Sequence, residues 1–163
     1  MKKIKTILFS VLALLMLIGA GSVSAQVTSE TTTKLPKVEM TEGIVADPGL
    51  TRATVYEYQN ASLYNNGSAS KSFAFSLSSS YPYGKVWVHN TSSSSCTVSF
   101  AYKNKTASPL ATYTLASGKS STYWVLSNKN YGNYYCNIAT TNGSSLNGTI
   151  TIRKGTTLQE MGY

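Results

Sequence analysis

Acidic residues are scarce in this chain, and over most of its length they are missing. No Asp or Glu occurs between Glu57 and Glu160, a stretch that carries seven Lys (Lys71, Lys85, Lys103, Lys105, Lys119, Lys129, Lys154) and Arg153. The gap removes paired-carboxylate chemistry, since glycoside cleavage needs two carboxyl groups flanking one bond. Histidine is nearly absent as well. His89 stands alone, so a Ser-His-Asp triad would have a base but no acid within the gap. A positioned base also needs an orienting partner, and none is visible beside His89. One His without nearby carboxylates gives no ligand set for a metal ion. No Gly-rich phosphate loop is present; Gly143, Gly148 and Gly155 fall at turns. These absences argue against an enzyme. They assign no catalytic residue, no metal ligand and no cofactor.

Long apolar runs are confined to the N-terminus. Lys2, Lys3 and Lys5 form a basic start, Ile7 to Ile18 is apolar apart from Ser10, and Val23-Ser24-Ala25 supplies small residues at −3 and −1. This is the pattern of a secretory signal peptide over 1–25, of bacterial style, with cleavage after Ala25. Its apolar core of about 12 residues is short of the ~20 that span a bilayer. No later stretch reads as a transmembrane segment, so the mature chain is expected to be secreted and extracellular.

Ala, Leu and Glu are sparse beyond the signal, which disfavours long helices. Ser, Thr, Asn, Tyr and Gly dominate instead, a composition of strands and turns. Residues 26–50 are Thr- and Glu-rich with few large apolar side chains. They read as a flexible acidic leader, or alternatively a removable pro-segment. From 51 to 163 the chain alternates with period two between turn signals. Thr51 to Gln59 places Tyr56 and Tyr58 on one face. Phe73, Phe75 and Leu77 alternate next, then Val86 and Val88, then Cys96, Val98, Phe100 and Tyr102. Ala111, Tyr113 and Leu115 follow. Thr122 to Ser127 leaves open whether Tyr123 and Val125 or Trp124 and Leu126 face inward. Tyr134, Cys136 and Ile138 lead to Asn142-Gly143, a hairpin signal, and then to Ile150 and Ile152. Seven or eight short strands with frequent turns predict an all-β fold, a small antiparallel β-sandwich.

Only two cysteines are present, Cys96 and Cys136, both on the inward face of a strand. In an exported chain this predicts a disulfide bond between them. In Tyr134-Tyr135-Cys136 a Tyr precedes the second Cys by two residues. That resembles the tyrosine corner of immunoglobulin-type sandwiches. The resemblance implies an immunoglobulin-like architecture and no function. The Cys spacing is shorter than in antibody domains, and Trp87 precedes the first Cys while Trp124 comes late.

Aromatic and basic residues meet around one turn and strand: Tyr81, Tyr83, Lys85, Trp87 and His89. These are the candidate binding residues, since Tyr and Trp offer rigid contact area with a polar tip. Without its signal the chain carries a net charge of about +5. The expected function is a non-catalytic binding module for an anionic cell-surface polymer, a glycan or a protein. A secreted antibacterial or toxin-like effector with a removable leader is the alternative, and a hydrolase with an unrecognised site a weaker one. The lysines are scattered and no nucleic-acid motif occurs, so no specific nucleic-acid partner is expected. Six Asn-x-Ser/Thr sites (Asn60, Asn66, Asn90, Asn104, Asn142, Asn147) arise readily by chance in so Ser-, Thr- and Asn-rich a chain.

Overall fold

The computed structural model describes residues 34–42 and 54–163. The expected signal peptide over 1–25, and residues 26–33 and 43–50 of the expected leader, lie outside the described residues. Nine strands are present among those described: β1 (Lys37–Glu42), β2 (Thr54–Ser62), β3 (Ser70–Leu77), β4 (Tyr83–Asn90), β5 (Cys96–Tyr102), β6 (Ala111–Leu115), β7 (Ser120–Leu126), β8 (Gly132–Thr140) and β9 (Gly148–Gly155). A short 3-10 turn, Gln159–Met161, follows. The strands form two antiparallel sheets, ordered β1-β7-β4-β9-β2 and β3-β8-β5-β6.

The pairing is nested. β5 pairs with β6, β4 with β7, β3 with β8 and β2 with β9, as in one long hairpin whose tip is the β5–β6 connection. The hairpin is rolled up, and β4–β9 and β5–β8 pairs close the sheets. Eight strands wound in this way make a jelly roll. The immunoglobulin-like expectation is therefore corrected to a different strand order. The period-two pattern fixes which face of a strand is buried but not which strand lies beside it. For the same reason Asn142-Gly143 turns the chain without making a hairpin: β8 and β9 belong to different sheets.

The inward faces agree with the alternation. Phe73, Phe75, Leu77, Val86, Val88, Val98, Phe100, Ile138, Ile150 and Ile152 are all buried in one core. On β7 the inward pair is Tyr123 and Val125, with Phe100 and Tyr113 rings against Tyr123 at 5.4 and 5.2 Å. Tyr56 and Tyr58 do not share a face. The register slips between them, so Tyr56 stands opposite Arg153 while Tyr58 stands opposite Ile152 and meets Phe73 edge-on at 5.3 Å. A β-bulge at Glu57 accounts for the slip, since one extra residue reverses the alternation.

Part of the segment read as a flexible leader is a strand. β1 runs along β7 in register from Lys37–Leu126 to Glu42–Ser121. Val38 is buried, Met40 packs on the core, and Tyr113 Oη donates to Val38 O at 2.9 Å. Two apolar residues at period two are enough for an edge strand. The surrounding Lys, Glu and Thr hid them in a compositional reading.

The predicted disulfide is not formed. Cys96 and Cys136 are free and buried. They lie on neighbouring strands of the same sheet, but Cys136 stands opposite Phe100 and Cys96 opposite Thr140. Four residues of offset is about 13 Å along a strand, against the ~7 Å limit for bridged Cα atoms. Burial pushes the Cys96 thiol up to about 11 and raises that of Cys136 further. Both thiols should remain in the folded protein, resist alkylation at pH 8, and react at once in denaturant. A mass two hydrogens lighter under non-reducing conditions would contradict this arrangement.

At the opposite end from the hairpin tip, Asn90 binds the loops together. It is fully buried, and its Nδ2 lies 3.0 to 3.2 Å from the carbonyls of Ser94, Leu115 and Ala116. Its Oδ1 accepts from Ser92 N, and its backbone bonds both Gly118 and Lys119. Replacing Asn90 with Ala strands buried carbonyls and should cost about 2–3 kcal/mol of stability in urea unfolding.

Candidate functional site

Strand β4 carries four of the five candidate binding residues. Val86 and Val88 are in the core, so Tyr83, Lys85, Trp87 and His89 share the outer face of the five-stranded sheet. Their spacing of two residues puts them in a line. The Trp87 and His89 rings stack at 6.0 Å with planes 12° apart, and His89 Nδ1 lies 2.8 Å from Ser120 Oγ. Tyr81, before the strand, faces the ammonium of Lys154 at 5.6 Å, and Lys154 is ion-paired with Glu57.

Lys85 is not the exposed cation that the sequence suggests. It is 3 % exposed, and the register sets it between Trp124 on β7 and Arg153 on β9. Its Nζ donates to Met161 O at 3.0 Å and lies 4.9 Å from the Trp124 ring. Arg153 donates to the same carbonyl at 2.9 Å. The C-terminal segment thus folds onto this face, and Met161 is buried there against Gly155. A Cβ on Gly155 would meet the Met161 side chain at 2.6 Å, so this contact requires glycine. The missed residues are Trp124, Met161 and Tyr163. A buried Trp facing away from the core gives no period-two signal, and the last turn has no strand pattern.

The segment ends in a contact between Tyr163 and β1. Tyr163 Oη donates to Glu39, whose carboxylate also pairs with Lys37. The Tyr163 ring meets Trp124 edge-on at 5.0 Å, and Trp124 Nε1 donates to Thr41 Oγ1 at 3.2 Å. A cavity of about 190 Å³ remains between Thr41, Trp124, Gly162 and Tyr163.

A second surface lies where the hairpin tip meets the β7–β8 loop. Lys103 N donates to Asn133 O at 2.8 Å, and Tyr102 Oη to Tyr131 O at 2.9 Å. Asn130 and Asn128 side chains reach Lys34 O and Leu35 O, each at 2.8 Å. Three segments far apart in sequence therefore converge, bringing exposed Lys34, Lys103, Lys105 and Lys129 to one end. Tyr131 is exposed beside them, and the Lys103 ammonium sits 5.4 Å from the Tyr102 ring. These four lysines form no ion pair among the described residues. Glu39, Glu57 and Glu160 are each engaged, by Lys37, Lys154 and Thr156 respectively.

Among the described residues no three His, Cys, Asp or Glu side chains are grouped to hold a metal ion. No protein-family model, curated protein or solved structure matches the chain.

The Tyr163–Glu39 contact has a pH window of its own. Bonds from Lys37 and Tyr163 hold the Glu39 carboxyl below its ordinary value of 4.5, and Glu39 holds the Tyr163 phenol above 10.0. A lowered carboxyl contributes stability above its unfolded pKa and loses it as pH falls through the folded one. A raised phenol contributes below its unfolded pKa and loses it as pH rises through the folded one. The Tyr163–Glu39 bond should persist between these limits. Thermal melts of wild type and Tyr163→Phe should differ inside the window and converge at its alkaline edge.

Proposed function

We propose that this chain is a secreted, non-catalytic binding module that docks on an anionic polymer of a cell surface or extracellular matrix. The observation that carries the reading is the set of four exposed lysines at the Tyr102 and Tyr131 end, which form no ion pair among the described residues. Unbalanced cations on one end of a rigid sandwich attract a polyanion at low ionic strength, and aromatic rings beside them add contact area. The signal-like N-terminus and the lack of carboxylates in the chain's central stretch agree with it. The alternation along β4 supports a smaller part than its sequence suggested, because Lys85 is held beneath the C-terminal segment.

The effector alternative with a removable leader is weakened by β1. Cleavage near Leu50 would take away a strand paired with β7 and the buried Val38. The mature N-terminus should therefore lie near Gln26, as mass spectrometry of the exported protein can establish.

The test is retention on immobilised polyanions, namely a glycerol-phosphate polymer and heparin. Retention should be strong near 20 mM salt and fall away by about 0.5 M, where the screening length is only a few ångströms. Charge reversal at Lys103 and Lys129 should reduce low-salt retention about tenfold or more with no change in melting temperature. Reversal at Lys119, on the far end, should have little effect. Equal losses from both changes would reduce the reading to net charge alone.

A further inference from the structure

The outer face of the four-stranded sheet differs in kind from the other sheet's outer face. Its strands β3, β8, β5 and β6 contain one charged residue among them, Lys71. The register arranges the outward residues in rows across the sheet. Ser70, Ala139, Thr97 and Thr114 form one row; Ser72, Asn137, Ser99 and Thr112 form the next. Tyr135 stands in the following row, flanked by Ala74 and Ala101. A groove of about 390 Å³ runs over the first two rows, lined by Ser70, Ser72, Thr97, Ser99 and Asn137, with Asn65 and Lys71 at its margin.

We infer that this groove is a binding site for a neutral, polyhydroxylated chain, that is, an uncharged glycan. The lining decides the class. Hydroxyl and amide groups both donate and accept, which matches a ligand whose every hydroxyl does the same. An anionic ligand would call for cations in the lining. Lys105 meets the groove through its backbone carbonyl, on Asn137, and the Lys71 ammonium is turned away. It donates to Ser62 O at 2.9 Å and Tyr64 O at 3.2 Å. A cationic ligand would call for carboxylates, and these four strands have none. A protein partner fits poorly too, since interface cores are depleted in Ser and Ala and enriched in large aromatics, Met and Arg.

The polar groups are held in place before any ligand arrives. Asn137 Nδ2 donates to Lys105 O at 3.0 Å, and its Oδ1 accepts from Ser72 Oγ at 2.6 Å. That fixes the amide's orientation and leaves lone pairs on Ser72 Oγ and Asn137 Oδ1 open to the groove. Preorganised hydrogen-bonding groups lose less entropy when they bind. Tyr135, two residues along the same face from Asn137, lies about 7 Å further on. It offers the one aromatic ring of this face, between two small neighbours, to the apolar side of a sugar ring. The inference does not depend on the basic end being an anion-docking surface.

Electrophoresis of the full mature chain through gels containing soluble neutral polysaccharides tests it. The panel is a β-glucan, an α-glucan, a mannan and a galactan. At least one should retard the protein, and the retardation should persist in 0.3 M salt. Tyr135→Ala and Asn137→Ala should each weaken it about tenfold, the loss of one well-made contact, with melting temperatures near wild type. If Asn137→Ala is destabilised through its loss of the Lys105 tether, Ser99→Glu tests the same groove by placing a charge in it. The Lys103 and Lys129 reversal should bind these gels as wild type does. No retardation by any of the four polymers overturns the inference. So does retardation that survives Tyr135→Ala and Ser99→Glu, or that vanishes with the lysine reversal.

Discussion

Everything in this fold depends on the nesting of its strand pairs. Apart from β5–β6, each consecutive connection between β2 and β9 crosses from one sheet to the other. No two neighbouring strands of sequence can therefore bury their apolar faces alone. The core forms when β2 meets β9 and β3 meets β8, pairings that bring together residues such as Glu57 and Lys154, 97 positions apart. Contacts of such long range place the chain among slow-folding topologies. They also explain why the ends of the domain are clamped: Asn90 fixes the loops at one end, and hydrogen bonds from Tyr102, Lys103, Asn128 and Asn130 to Tyr131, Asn133, Leu35 and Lys34 fix those at the other.

The nesting also sorts the surfaces chemically. Strands that alternate between sheets share out the same Ser-, Thr- and Asn-rich sequence unevenly. One outer face carries Tyr83, Lys85, Trp87, Trp124 and Arg153, and the C-terminal segment lies on it. The other is almost free of charge and lined by hydroxyls. Meanwhile the hairpin tip swings its lysines to one end. A chain whose cations look evenly scattered in sequence thus acquires a basic pole and a neutral face.

The face of each strand was legible in the sequence because burial imposes period two. Phe73, Val86, Phe100, Ile138 and Ile152 all point inward as the alternation requires. Which strand lies beside which was not legible, because pairing depends on closure of the whole roll. The disulfide expectation failed for that reason. Two inward cysteines behind a signal-like N-terminus suggest a bridge, but only register shows that Cys96 stands four residues beyond the partner it would need. The tyrosine comparison held locally: Tyr134 Oη does donate to Asn130 O four residues upstream, at 2.5 Å. It did not extend to strand order. The bulge at Glu57 and the docking of Met161 left no trace in the pattern, since both depend on what the chain meets rather than on its own period. Of the candidate site, the β4 line was readable; the convergence of Lys34, Lys103 and Lys129 was not.

The burial of Asn90 has a practical consequence for making this protein. Asn90-Thr91-Ser92 is an acceptor for N-linked glycans, and such transfer occurs on the chain before it has folded. Once modified, an amide that must point at Leu115 O and Ala116 O inside the clamp could not enter it. Expression in a glycosylating host would therefore divide the product into unmodified chains that close and modified chains that never do. The choice of host thus determines how much folded material is recovered.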